Sequence, residues 1–176
     1  MSAASPPDRH TPGPAPPDAA PPERTLPGLP GQRLARGVQR HLRGLNFACL
    51  FEFVPTPGLR VDVMALGPRG ELWIVECKSS RVDFVSDRKW TGYLEWCDRF
   101  FFAVDMDFPA EILPEGAGLI LADAFDAEVQ RWPEAHPLAA ARRRALVQRF
   151  ARVAAGRLGA LIDPGPAGSP FRADLA

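Results

Sequence analysis

Leu59 to Lys78 reads LRVDVMALGPRGELWIVECK. Two apolar, β-prone runs, Leu59 to Leu66 and Glu71 to Cys77, flank a Gly67-to-Gly70 cluster, and such a pattern predicts a β-hairpin. Side chains alternate along a strand, so Glu76 and Lys78 project from one face, roughly 6–7 Å apart at their Cα atoms, with Cys77 on the other. Asp62 joins them only in a register centred on Arg69, which a five-residue loop from Gly67 to Glu71 produces. A four-residue loop would instead set Val75 opposite Asp62 and turn Glu76 away unless a bulge intervened.

Two carboxylates a few ångströms apart raise each other's pKa unless a cation lies between them. Mg²⁺, or Mn²⁺ with the same oxygen ligands, fits that place, because Mg²⁺ needs only one or two carboxylates when waters and a substrate phosphate complete its shell. Lys78 then has two uses: to position or deprotonate a water, and to stabilise charge developing on phosphorus. Acid, acid, lysine and metal together suit hydrolysis of a phosphodiester. Arginine occurs nineteen times and lysine only twice, at Lys78 and Lys89. A compact ammonium with a tunable pKa is therefore kept at position 78 in a chain that otherwise uses guanidinium.

Upstream and downstream segments extend the pattern. From Gln32 to Leu45 a helix is expected, with Leu34, Val38, Leu42 and Leu45 as its buried stripe and Arg33, Arg36, Arg40 and Arg43 on the other sides. Phe47 to Pro55 reads as a largely buried strand, with Phe47, Cys49, Phe51 and Phe53 on one face. Glu52 is an acid among apolar neighbours there, and burying it alone costs several kcal/mol by rough estimate, so either a metal or a salt bridge to Arg60 is expected. After the hairpin a helix capped by Asp83 or Ser86 is expected to reach about Asp98, with Phe84, Trp90, Leu94 and Cys97 on its core side. Asp87, Lys89 and Tyr93 are its polar positions towards the cleft, Lys89 the candidate phosphate contact.

Arg99 to Val104 is continuously apolar after its arginine, as a central strand is, and the crossover into it predicts a βαβ unit. Gly118 to Ala122 and Glu128 to Trp132 follow as strands, the latter at an edge. A long helix from Pro137 to about Ala160 carries Arg142, Arg143, Arg144, Arg149, Arg152 and Arg157 and no acid. The class is α/β: a mixed central sheet with flanking helices.

Asp62 with Glu76 and Lys78 across a hairpin, between helices, resembles the PD-(D/E)XK nuclease superfamily. The runs Val75 to Ser80, Asp83-Phe84, Asp87 to Trp90, Phe101 to Val104, Gly118 to Asp123 and Arg149 to Arg152 resemble, more closely, the MmcB-type bacterial DNA-repair proteins of that superfamily. The likeness spans about residues 32–161. It implies a restriction-endonuclease-like core that cuts DNA, with Asp62 and Glu76 as ligands of Mg²⁺ or Mn²⁺ and Lys78 as the catalytic lysine. DNA and other repair proteins are the partners it implies. Val61 stands where the superfamily name has proline. Many relatives carry an acid on the first helix; none lies between Gln32 and Leu45, which leaves Gln39 or Glu52 for that place.

At 176 residues the chain suits one α/β domain. The expected division is a disordered Pro/Ala-rich arm over 1–30, which holds ten of the twenty prolines, a nuclease-like domain over 31–162 and a flexible tail over 163–176. Neither a signal peptide nor a run of ~18 apolar residues is visible, so a cytoplasmic, nucleoid-associated protein with no membrane contact is expected. Cys49, Cys77 and Cys97 lack metal-ligand spacing and read as reduced thiols. No heptad or repeat assigns an oligomeric state. Net charge is zero, but the two terminal helices hold ten of the twenty-one basic residues and no acid. If they share a rim, Arg36, Arg40, Arg142, Arg149 and Arg152 would hold a DNA backbone over the acids.

Overall fold

A computed structural model describes residues 29–86 and 90–164. The arm over 1–28, most of the tail, and Asp87 and Lys89 lie outside these described residues. Six strands form one sheet in chain order: β1 (Ala48–Thr56), β2 (Leu59–Leu66), β3 (Leu72–Cys77), β4 (Arg99–Val104), β5 (Gly118–Ala122) and β6 (Ala127–Arg131). The β3–β4 and β4–β5 pairs are parallel and the rest antiparallel, so the sheet is mixed. Helix α1 (Pro30–Gly44) packs Leu34, Ala35, Val38 and Leu42 on one face, against Val63, Trp73, Val75 and Phe101. Helix α3 (Ala140–Ile162) packs Leu146, Phe150 and Val153 on the other, with Ile74, Phe100 and Phe102.

Strand β4 explains itself by this sandwich. Phe100, Phe102 and Val104 enter the core under α3, while Phe101 and Ala103 enter the core under α1. A strand covered on both faces has no polar side, hence the unbroken apolar run. At α1 the stripe ends at Leu42 and not, as the spacing predicts, at Leu45, which is exposed. The helix stops at Gly44 and Asn46 takes a left-handed φ of 64°, which turns the chain into β1.

Two elements differ from expectation. The segment after the hairpin is not one helix: α2 (Arg81–Ser86) is followed by a 3-10 helix, Trp90–Trp96. Its N-terminal cap is Ser80, whose Oγ accepts the Asp83 N–H at 3.2 Å, not Asp83 or Ser86. Phe84, Trp90, Leu94 and Cys97 nevertheless all reach the core under α3. In β1, Phe51 packs on the α1 side and Phe53 on the α3 side, so the four aromatic and thiol positions do not share a face. Glu52 between them has φ 50°, and that left-handed residue rotates the strand so that alternation breaks.

Asp98 ties the layers together. Its carboxylate accepts N–H bonds from Leu72 at 2.7 Å and Leu138 at 2.9 Å, and two from the Arg143 guanidinium at 2.6 Å each. Burial alone would push this carboxyl up, but Arg143 and the two amides outweigh it and hold Asp98 below its ordinary value.

Candidate active-site cleft

The β2–β3 register is Val63 with Val75, Met64 with Ile74, Ala65 with Trp73 and Leu66 with Leu72. It is centred on Arg69 with a loop of five residues, as the hairpin reading requires. Beyond Val63 and Val75 the backbone ladder stops and two carboxylates take it over. The Asp62 N–H donates to Glu76 Oε1 at 3.1 Å, and the Cys77 N–H donates to Asp62 Oδ2 at 2.8 Å. Meanwhile β3 continues its parallel pairing with β4, and the Lys78 N–H donates to the Ala103 carbonyl at 2.8 Å. The strands therefore part at the acids, each acid being held in place by the other strand's amide.

On the far side, Phe51 pairs with Val63 and Phe53 with Val61, which puts Glu52 opposite Asp62. Glu52, Asp62 and Glu76 thus form one row across β1, β2 and β3. Glu76 and Lys78 are 4% and 5% exposed, and Lys78 Nζ lies 3.9 Å from Glu76 Oε2. A buried ammonium beside a buried carboxylate offsets part of the desolvation cost of each, and removing one partner leaves the other without that offset. Glu52 itself is not buried. It pairs with Arg60 at 2.9 Å, and both side chains are more than half exposed. The salt bridge to Arg60 is present, and an exposed pair of this kind is worth little, about 0–1 kcal/mol.

The row opens into a cleft of about 670 Å³. Its walls are the start of α1, with Gln32, Ala35 and Arg36, the acid row, and Lys78, Ser79 and Asp83 after β3. Burial raises the Asp62 carboxyl above its ordinary value; the Cys77 N–H and Lys78 oppose this, and Glu52 and Asp83 add to it. Among the described residues the lining holds four carboxylates against Arg36 and Lys78. The donors are hard oxygens and the cleft is short of positive charge, which fits a Mg²⁺- or Mn²⁺-sized cation held by Asp62 and Glu76 with water and phosphate. Among the described residues no three His, Cys, Asp or Glu side chains cluster closely enough to hold a metal by themselves.

The other candidate residues fall elsewhere. Tyr93 is a core residue: it is 6% exposed, stacks on Phe100 with centroids 5.8 Å apart, and points its hydroxyl at the Arg60 carbonyl. It does not face the cleft. Gln39 is not among the lining residues, because it lies about two turns along α1 from Gln32, the glutamine that is. Arg40 donates to the Ala124 carbonyl in the β5–β6 turn. Arg149 and Arg152 line a second groove under α3, and Arg142 lies over the Trp96 ring. The two arginine-rich helices share no rim, since they cover opposite faces of the sheet. Gln32 and Asp83 were the cleft residues hardest to find from sequence. The only signal for Gln32 is its i, i+4 spacing from Arg36.

The three thiols are free, and burial pushes Cys49 and Cys97 up to about 12 and Cys77 well above its ordinary value. Burial thus disfavours the thiolate, the nucleophilic form.

A family model described as DNA repair protein MmcB-like matches residues 29–165. The chain belongs to the MmcB-like DNA repair protein family. The cleft and every strand lie within the matched residues. Among solved structures, the SPO1766 protein of unknown function from Silicibacter pomeroyi is 61% identical, with a TM-score of 0.79 over 83% of this chain and 99% of that one. No curated protein matches. The MmcB-like fold described here is a six-stranded mixed sheet between helices, consistent with a restriction-endonuclease-like core, and among its described residues no helix is long and apolar enough to cross a membrane.

Proposed function

We propose that this MmcB-like protein is a metal-dependent DNA nuclease of PD-(D/E)XK type. The observation that carries the reading is the parted hairpin, where Asp62 and Glu76 each accept the opposite strand's amide and Lys78 stands 3.9 Å from Glu76. Such amide bonds fix the carboxylates before any ligand arrives, and preorganised charge is what electrostatic catalysis needs. Asp62 and Glu76 would hold the divalent ion. When bound, that ion supplies Lewis-acid polarisation of the phosphoryl oxygen and lowers the pKa of a water.

The chain's own residues do the rest. Lys78 orients the attacking water and neutralises charge on the phosphoryl oxygens as water adds to phosphorus and gives up its proton to solvent, while the P–O bond to the leaving sugar breaks and the sugar oxygen takes a proton from solvent. Arg36, at the cleft wall, engages a neighbouring phosphate.

A second reading has one observation in its favour: the described α1 residues that line the cleft, Pro30, Gly31, Gln32, Ala35 and Arg36, include no acid. It makes the protein a DNA-binding scaffold of repair that never cuts. The test is incubation of labelled single-stranded, duplex and branched DNA with Mg²⁺, Mn²⁺ or EDTA, beside Asp62→Asn and Glu76→Gln. Metal-dependent cutting that both substitutions abolish is expected. Binding in EDTA with no cutting under any condition selects the scaffold.

A further inference from the structure

The catalytic cleft, with four carboxylates against two cations among its described lining, does not attract a polyanion by charge. With no cation bound, affinity for a DNA backbone is therefore expected from another surface. A groove of about 480 Å³ between α3, the 3-10 helix Trp90–Trp96 and Pro55 has the opposite character. Arg149, Arg152 and Gln148 give it donors, Trp96 and Pro55 give it flat apolar walls, and among its described lining residues none is acidic. The Arg142 guanidinium lies 5.0 Å from the Trp96 ring centroid and pairs with Glu95 at 3.7 Å, so it flanks the groove as half of an ion pair.

Helix α3 connects this groove to the cleft. At its far end Arg157 donates to the carbonyls of Phe51 at 2.6 Å and Glu52 at 3.2 Å, and both of those residues line the cleft. From Arg149 to Arg157 is roughly 12 Å along the helix axis. The route between the two sites runs around the β1 edge from one face of the sheet to the other. Duplex DNA, with a persistence length of about 150 base pairs, does not follow so tight a turn, but a single strand does. An unpaired base can stack on Trp96 in place of the Arg142 guanidinium, whereas a base inside a duplex has both its faces covered.

We propose that the α3 groove is a second DNA-binding site, one that takes a single-stranded arm leaving the cleft around the edge of β1. The substrate class is then duplex DNA bearing a single-stranded tail or flap. This rests on the reading of DNA as the ligand, but not on cleavage.

The test is fluorescence anisotropy in EDTA with a labelled blunt duplex and the same duplex carrying a single-stranded tail, using the full chain and Arg152→Glu. Arg152 is exposed, so its replacement leaves the core intact. The tailed duplex is expected to bind at least about tenfold tighter than the blunt one. Arg152→Glu is expected to remove that advantage and to lower the salt slope for the tailed DNA by about one. Equal affinity for both DNAs, an unchanged Arg152→Glu, or binding to neither DNA overturns the proposal. Tail-dependent binding by a protein that never cuts upholds it while removing the nuclease reading.

Discussion

Asp62, half-buried, and Asp98, buried, are two carboxylates that desolvation pushes up and that their neighbours leave on opposite sides of the ordinary value. Asp98 is held below its ordinary value of 3.8 because Arg143 and two amides outweigh desolvation. Its stabilisation is present in full above 3.8 and is lost as pH falls through the lower folded value. Asp98→Ala leaves the Leu72 and Leu138 amides without their acceptor and Arg143 with only the Gly70 carbonyl, and a loss of about 3–5 kcal/mol at pH 7 is expected in urea unfolding. The gap to the unaltered protein should narrow below about pH 4. Asp62 is raised above 3.8, chiefly by burial, so its charged form costs stability above the folded pKa and the cost disappears as pH falls towards the unfolded value. Asp62→Asn, which keeps an acceptor for the Cys77 amide, should therefore raise the metal-free melting temperature at pH 7, by on the order of 1 kcal/mol of stability, and gain nothing at pH 3. Added Mg²⁺ should raise the melting temperature of the unaltered protein and not of Asp62→Asn, as differential thermal shifts would show. The acids and the lysine were legible in sequence because β alternation and loop length fix who faces whom. Tyr93 was not, because a tyrosine at a helical spacing can present its ring inward or its hydroxyl outward, and only packing against Phe100 decides.

Among the elements, the hairpin register follows from its loop, and β4 follows from its apolar run. The break in β1 does not, since one left-handed residue, Glu52, moves Phe53 to the other face and no glycine marks the place. Likewise the run after β3 looks continuous in apolar spacing but is divided into α2 and a 3-10 helix. Helix α1 is set by a contact that sequence cannot display. A Cβ on Gly37 would press into the carbonyl oxygens of Asp123 and Asp126 in the β5–β6 turn, which Asp123 organises by accepting the Phe125 and Asp126 amides at 2.6 and 2.8 Å. Glycine inside a helix costs about 1 kcal/mol against alanine, so an isolated α1 peptide should gain helicity from Gly37→Ala. In the folded protein the same change is expected to lose about 1–3 kcal/mol, because rigid backbone must move. Circular dichroism of the peptide and urea unfolding of the protein measure the two signs separately.

For the whole molecule, the segregation of charge was visible in sequence but its geometry was not. Ten basic residues on two acid-free helices say nothing about which face of a sheet each helix crosses to. The structure sets α1 beside the cleft and α3 behind it, so arginines read as one rim serve two surfaces. The central claim, that the parted hairpin cuts DNA, meets its most direct test in single-turnover cleavage by Lys78→Ala beside the unaltered protein, with Mg²⁺ and saturating enzyme. A fall in rate of about 10²–10³-fold with DNA affinity unchanged is predicted, the size seen when one preorganised charge-stabilising group is removed. Cleavage by Lys78→Ala at the unaltered rate would contradict it.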